Sequence, residues 1–443
     1  MVAKRVAVIA GDGVGKEVIP EGIRVLSAID PTLDFTELDW GSDRYERTGA
    51  MMPPDALATL AKFDAIYLGA IGWPTVPDHV SLWGCLLPIR KTFEQYVNLR
   101  PIRLPPGIPS PLAGRGPRDI DMIFVRENTE GEYSGTGGRV HVGHPQEVAV
   151  EVPVFTRMAI ERAARYAFGL AERRRQRLVS VTKSNASRYA YVLWDEVVEE
   201  VARDFGGVEL QRMHVDAMAA RMVLRPDSID VLVASNLFGD ILTDLGGALQ
   251  GSLGMCASAN LNPERHHPSM FEPVHGSAPD IAGQGKANPL GAIWCAALMV
   301  RHLGDEPGAQ RIERAIDRIC EEGSVLTAES RRGCFNPRCR RSNGRARQAN
   351  HGPPLMSMLW PMTYEGDKHQ RRASIRAAPV MLVRAREQLS ILLRIECRAV
   401  LSVLALTAPT RLGADGDWGW ASSPASRSET RRWRAAQERS CVG

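Results

Sequence analysis

Short apolar runs with strand character alternate with longer stretches of helical periodicity from Arg5 to Glu322, and this alternation constrains the chain more than any other feature. Residues 5–10, 65–69, 121–125, 178–182 and 231–234 are apolar segments bounded by turn or polar residues, as strands of a buried sheet are. Between and after them, residues 16–29, 55–62, 156–173, 187–205, 239–250, 290–303 and 309–322 repeat apolar side chains at helical spacing. The expected class is therefore α/β, with no internal repeat. No window approaches 18 uninterrupted apolar residues, so no membrane-spanning helix is expected. Residues 1–10 run straight into a strand pattern without the features of a signal peptide. The eight cysteines are scattered, and the one close pair, Cys334 and Cys339, has no second pair to complete a zinc site. Reduced thiols in a cytoplasmic protein are the expectation.

After about Val325 the alternation stops. From Arg331 onward the chain carries 20 Arg and one Lys against eight acids, a net charge of +13, which leaves −9 for the first 330 residues of a chain at +4 overall. Residues 379–408 keep near-helical apolar spacing, but Arg384, Arg386, Arg394 and Arg398 interrupt it. An acidic body joined to a basic tail points to two pieces of different origin or different job. A shifted reading frame or misjudged stop is the preferred account of residues 329–443. An added module that binds nucleic acid or another acidic partner is the rival from a different functional class.

Five groups of residues carry chemistry. Gly11, Gly13 and Gly15 form a turn between a strand and a helix, but their spacing is not that of a dinucleotide-binding glycine loop. Asp240 and Asp244 are four apart in a helical pattern, so both carboxylates share one face. A hard divalent cation with a preference for oxygen ligands would neutralise such a pair; a solvated acidic face is the bland alternative. Arg90 closes a helical stretch, Arg100 follows it, and Arg126 follows the strand at 121–125. Each guanidinium offers two parallel hydrogen bonds to a carboxylate, so three together could clamp a dicarboxylic acid, whereas any one alone is more simply a surface ion pair. Tyr133 lies in a glycine-rich loop, and Lys183 follows a strand.

Taken in order, these segments resemble a known family. Gly11-Asp-Gly-Val-Gly15, Leu86-Leu-Pro-Ile-Arg90, Asn98-Leu-Arg100-Pro, Val125-Arg-Glu-Asn-Thr-Glu-Gly-Glu-Tyr133, Thr182-Lys-Ser-Asn185, Asn236-Leu-Phe-Gly-Asp-Ile-Leu-Thr-Asp244 and Glu272-Pro-Val-His-Gly-Ser-Ala-Pro-Asp280 are similar to the motifs of the β-decarboxylating dehydrogenases. The resemblance spans roughly residues 4–328. It implies the isocitrate/isopropylmalate dehydrogenase fold, with two α/β domains and the active site in the cleft between them. Residues 1–101 plus 252–328 would form the first, NAD-binding domain. Residues 102–251 would form the second, with the substrate and metal residues and the interface of a homodimer whose active sites are shared.

The same resemblance implies roles. Arg90, Arg100 and Arg126 would hold the substrate carboxylates, with Leu86 beside them. Asp240 and Asp244 would bind Mn²⁺ or Mg²⁺ together with Asp216 from the second subunit, with a monovalent cation such as K⁺ also admitted. Lys183, again from the second subunit, would help remove the hydroxyl proton, and Tyr133 would protonate the enol left by CO₂ loss. Cationic surroundings are expected to lower the pKa of both groups. His275, Gly276, Ser277, Ala278, Pro279, Asp280 and Asn288 would bind the cofactor. Asp280 would accept from the adenosine ribose hydroxyls and repel a 2′-phosphate, favouring NAD over NADP. Within the family, residues 81–90 and 258–265 look most like the branch acting on tartrate and D-malate. Isocitrate enzymes place Ser and Asn just ahead of the first clamp arginine to hold a third carboxylate, where this chain has Gly84 and Leu86. The implied reaction is NAD-linked oxidation of a small 2-hydroxy dicarboxylate at C2 followed by metal-assisted decarboxylation. Isopropylmalate is the alternative substrate; neither nucleic acid nor membrane is an expected partner. The resemblance breaks at Val325-Leu-Thr-Ala-Glu, where the family continues with a different closing segment.

Overall fold

A computed structural model describes residues 3–323 and Thr327; the tail at 329–443, with the two readings of it, lies outside the described residues. Twelve strands are present among them: β1 Arg5–Gly11, β2 Asp34–Glu37, β3 Ala65–Ala70, β4 Val97–Arg103, β5 Asp121–Glu127, β6 Gly137–Val140, β7 Val148–Glu151, β8 Arg177–Thr182, β9 Glu209–His214, β10 Val231–Ala234, β11 Ala257–Leu261 and β12 Ser269–Pro273. Ten of them form one sheet in the order β2-β1-β3-β12-β11-β4-β5-β10-β8-β9, while β6 and β7 make a separate hairpin. β2, β1, β3 and β12 are mutually parallel, as are β5, β10, β8 and β9. β11 and β4 sit between these groups with antiparallel neighbours on both sides, so the two parallel groups run in opposite senses.

The inner strands of the parallel groups, such as β1, β3, β8 and β10, are buried and largely apolar because both faces are covered, whereas the edge strands β2 and β9 are mostly exposed. In β1, Val6 and Val8 enter one apolar cluster and Ala7 and Ile9 enter another; in β3, Ala65 and Tyr67 divide from Ile66 and Leu68 in the same way. The period of two thus builds a core on either side of the sheet. Over one face lie the helices Gly15–Ile29 and Leu290–His302, which pack on each other and on β3. The helices Arg157–Glu172 and Asn236–Leu249 pack on β5 and β10, and Ala190–Ala202 packs on β8. No helix among the described residues is long and apolar enough to cross a membrane.

All five expected strands and all seven expected helical stretches are present, with ends shifted by a few residues. β2, β4, β9, β11, β12 and the hairpin go beyond the sequence expectation. Arg100 follows the helix Leu87–Thr92, as expected, and lies inside β4. The expected domain segments each supply one parallel group: residues 1–101 and 252–328 hold β1, β2, β3 and β12, together with the antiparallel β11, and residues 102–251 hold β5, β8, β9 and β10. The boundary at residue 101 falls within β4. Cys85, Cys256, Cys295 and Cys320 are buried, as small apolar residues would be.

One close approach fixes how the first helix seats. A Cβ on Gly22 would lie 1.8 Å from the Tyr67 hydroxyl, which itself donates to the Ala292 carbonyl at 2.7 Å. Gly22→Ala would have to displace that buried tyrosine. It is expected to destabilise the protein by about 2 kcal/mol, seen as a lower urea midpoint with an unchanged m-value. Tyr67→Phe, which keeps the shape and frees one carbonyl, should cost about 1 kcal/mol.

Candidate active site

Three buried arginines converge on one place although they come from three elements. Arg90 lies in the last turn of the helix Leu87–Thr92, Arg100 lies in β4, and Arg126 lies near the end of β5. Their exposures are 6%, 6% and 2%, so each needs fixed partners. Arg90 donates to Glu272 at 2.6 Å. Arg100 donates to the Asn98 side-chain carbonyl at 2.7 Å and the Thr243 hydroxyl at 2.6 Å, with Asp240 at 3.4 Å. Arg126 donates through two nitrogens to the Asn236 side-chain carbonyl, at 2.9 and 2.6 Å, and pairs with Asp240. Burial depresses Arg126 to about 10 although Asp240 opposes it, and the group is still charged at neutral pH.

The acids come from the helix Asn236–Leu249, which starts directly after β10. Strand β10 is parallel to β5 and sets Ala234 beside Arg126. Asp240 is thereby delivered to Arg126 one helical turn later, and Asp244 one turn beyond that, 3.9 Å from Arg100. Gly239 permits this closeness, because a Cβ there would lie 2.6 Å from the Arg126 side chain. Burial pushes the Asp240 carboxyl up, but Arg126, Arg100 and a hydrogen bond from Tyr133 outweigh it and hold the group below the usual carboxylate range. Asp244 goes the other way: burial, reinforced by Asp240, outweighs Arg100 and raises it.

Tyr133 sits in the short turn Glu132–Ser134, between Gly131 and Gly135, which both adopt positive φ at 72° and 80°. Its hydroxyl donates to Asp240 at 3.0 Å, and its ring lies under Arg126 at 5.6 Å. The expectation of a lowered Tyr133 pKa is corrected here. Burial, then the Asp240 carboxylate, raise it against the pull of Arg126. The phenol is therefore held protonated, the form in which it can donate.

Lys183 and Asp216 follow β8 and β9, two neighbouring parallel strands, and meet each other at 2.5 Å. Among the described residues neither bonds to the arginines, to Asp240 or to Tyr133. Within one chain the two residues expected to act across a subunit boundary pair together, and no group of three or more potential metal ligands forms among the described residues. Asp240 and Asp244 are thus two hard oxygen donors on one helix face, with the Asp244 side chain 62% exposed to a third.

The expected cofactor residues lie on the loop that leaves β12. Glu272 belongs to the arginine cluster, and the loop continues through His275, Gly276, Ser277, Ala278, Pro279 and Asp280. It packs against the first glycine turn: Val14 donates its backbone N–H to the Ser277 carbonyl at 2.9 Å. A Cβ on Gly13, whose φ is 51°, would lie 2.0 Å from that carbonyl oxygen. Gly13 is explained by this approach, and Gly11 and Gly15 by the carbonyls of Ala70 and Ala10, which a Cβ would meet at 2.0 and 2.3 Å, rather than by a phosphate cradle. Asp12, buried below them, accepts from the Ser42 amide and hydroxyl and from the Gly72 amide at 2.7–2.8 Å. Asp280 is exposed, whereas Asn288 is buried and accepts from the Leu290 amide at 3.1 Å. Leu86 is partly buried in the π-helical turn Leu82–Leu86 and packs against the second apolar cluster. Gly84 lies in the same turn.

Sequence reading missed the residues that join these parts. Asn260 in β11 accepts from Asn98 and from Asn128 and donates to Glu272, all at 2.8 Å. A buried relay therefore runs from Arg90 through Glu272, Asn260 and Asn98 to Arg100. One signal was present: Asn98 and Arg100 are two apart, which in a strand places them on one face. Asn260 had none, because only strand register brings it opposite Asn98.

The family profile described as isocitrate/isopropylmalate dehydrogenase matches residues 5–331. A protein of Agrobacterium vitis named as a probable tartrate dehydrogenase/decarboxylase is 52% identical over 331 residues, which is 73% of this chain and 92% of that protein. The decarboxylating D-malate dehydrogenase of Escherichia coli (strain K12) is 54% identical over 322 residues, 71% of this chain and 89% of that protein. Among solved structures, the isocitrate dehydrogenase from Methylococcus capsulatus superposes with a TM-score of 0.68 at 33% identity, over 74% of this chain and 94% of that one.

The relay makes a specific forecast. Asn260→Leu, of similar branching, would leave the amides of Asn98 and Asn128 and one Glu272 oxygen without this partner. Its cost should be about 2–3 kcal/mol in denaturant unfolding, above that of an ordinary buried hydrogen bond. KM for a dicarboxylate should rise, since two of the three arginines lose their alignment. Unchanged stability would show that the relay carries no strain-sensitive network.

Proposed function

Because the chain belongs to the isocitrate/isopropylmalate dehydrogenase family, we propose that it oxidises a malate-like 2-hydroxy acid, tartrate or D-malate, with NAD and releases CO₂ from the product. The observation that carries this reading is the cluster in which Arg100 and Arg126 pair with Asp240, which also accepts from Tyr133, with Asp244 beside Arg100 and with Arg90 near enough to act on both Arg126 and Asp240. Three buried guanidiniums are suited to orient the two carboxylates of a small acid. Gly84 and the apolar Leu86 offer nothing to a third carboxylate, which disfavours isocitrate.

The residues fit a divalent cation on condition that a second subunit adds a ligand. Asp240 and Asp244 supply two carboxylates, and Asp216 of the partner subunit would supply the third, in a homodimer with shared sites. Bound there, Mn²⁺ or Mg²⁺ supplies counter-charge for substrate oxygen, and NAD supplies the hydride acceptor at C2. Lys183 of the partner subunit would take the hydroxyl proton. Tyr133, protonated and aimed at the cluster, would deliver a proton to the carbon that loses CO₂. The loop through His275–Asp280, with Asn288, would hold the adenosine end, where exposed Asp280 favours NAD over NADP.

The test is NADH formation from D-malate, meso- and L-tartrate, 3-isopropylmalate and isocitrate, with Mn²⁺ and K⁺ present. D-malate or a tartrate should give the highest kcat/KM, with NAD well above NADP. Asp240→Asn should lower kcat at least 100-fold, because developing negative charge on oxygen loses its support. Full turnover in EDTA would refute the metal site, a preference for isopropylmalate the substrate, and a preference for NADP the role of Asp280.

A further inference from the structure

We propose that Lys91, together with Trp83, is a positioning residue that clasps the turn carrying Tyr133 and so sets where the tyrosine hydroxyl stands. The proposal rests on Tyr133 as the proton donor, as read above. Three observations meet at this point. Lys91 Nζ donates to the Ser134 carbonyl at 2.9 Å. The same nitrogen lies 4.8 Å from the centre of the Trp83 ring. The Trp83 ring in turn lies against Gly135, so closely that a Cβ there would fall 2.5 Å from it.

The placement is an unusual use of a lysine. Lys91 is partly buried, and among the described residues it makes no ion pair; its charge is met by one carbonyl and one aromatic face. Burial pulls its amine below the ordinary value, with Glu127 opposing. A lysine with no role would extend into water instead. What the amine reaches is also distant in the chain. Lys91 follows Arg90 in the helix Leu87–Thr92 before β4, whereas Ser134 lies beyond β5, 43 residues on. The contact joins the segment that presents a clamp arginine to the segment that presents Tyr133.

The turn needs an anchor there. Gly131, at its near end, is already held by a two-bond bridge to Val154, so the far end at Gly135, with φ at 80°, is where a further anchor adds most. Its root is held by Glu127, which accepts from the Thr129 and Glu130 amides, both at 2.9 Å. Past Tyr133, Lys91 on the Ser134 carbonyl, Trp83 against Gly135 and the Ser134 hydroxyl bond to Val152 at 3.1 Å hold the outgoing strand. A proton donor displaced by about an ångström loses much of its effect.

The experiment measures amide hydrogen exchange across residues 129–136, and kcat and KM for D-malate with NAD and Mn²⁺, in the full-length protein. It compares the parent with Lys91→Met, Lys91→Arg, Tyr133→Phe and the double variant Lys91→Met/Tyr133→Phe. Lys91→Met should speed exchange in this segment alone and lower kcat about tenfold, with KM changed less than threefold. Lys91→Arg should restore both, and Lys91→Met should cost little further once Tyr133 is Phe. Trp83→Leu carries the same test should Lys91→Met fold poorly. Unchanged exchange in Lys91→Met would overturn the clasp, and that measurement needs no substrate. Faster exchange with undiminished kcat, where Tyr133→Phe is impaired, would overturn positioning. A fully active Tyr133→Phe would instead refute the tyrosine as donor, leaving the clasp to stand or fall on exchange.

Discussion

The structure depends on keeping Arg90, Arg100 and Arg126 charged and close together inside the protein. Like charges in a desolvated place repel, and here Arg100 and Arg90 both weaken the hold of Arg126 on its proton. Each guanidinium is therefore given a carboxylate or amide oxygen in fixed geometry: Glu272 for Arg90, Asn98 with Thr243 for Arg100, and Asn236 with Asp240 for Arg126. Breaking one such pair would leave a buried charge alone, the costly case. Because the arginines and their partners come from the helix Leu87–Thr92, β4, β5, β12 and the helix after β10, satisfying three side chains determines how five elements meet.

That requirement accounts for the middle of the sheet. The outer groups are parallel and their inner strands are covered on both faces and largely apolar, so their positions follow from hydrophobic burial. The antiparallel pair between them, β11 and β4, instead holds Asn260, Asn98 and Arg100 on one continuous relay that ends in Glu272 of β12. Glu272 opens the loop against which the first glycine turn packs. The two ends of the proposed site, dicarboxylate clamp and adenosine loop, are in this way tied to the same buried hydrogen bonds. A fully satisfied polar network specifies one arrangement where apolar packing alone would tolerate several.

The strands missed in the sequence are informative for the same reason. β4 reads Val-Asn-Leu-Arg-Pro-Ile-Arg and β11 reads Ala-Ser-Ala-Asn-Leu, neither of which presents the apolar run of β1 or β3. Their polar side chains are buried by pairing rather than by hydrophobicity, so local pattern rules fail where the candidate site is built. Tyr133 shows the electrostatic counterpart. Three nearby arginines suggested a lowered pKa, but Asp240 stands between them and the hydroxyl and, with burial, reverses the sign.

By itself the sequence determined the α/β class, the glycine turn and the helix face shared by Asp240 and Asp244, because those follow from periods of two and 3.6 and from local sterics. It also carried, in ordered motifs, the family and the residues of the candidate site. Tertiary structure alone decided which residues answer which: that Asn260 bridges Asn98 to Glu272, that Lys91 reaches Ser134, and that Lys183 and Asp216 pair apart from the arginines within one chain. Those partnerships join residues 12 to 162 positions apart. They arise from strand register and from the energetic need of each buried polar group to find a partner, neither of which leaves a periodic trace in the chain.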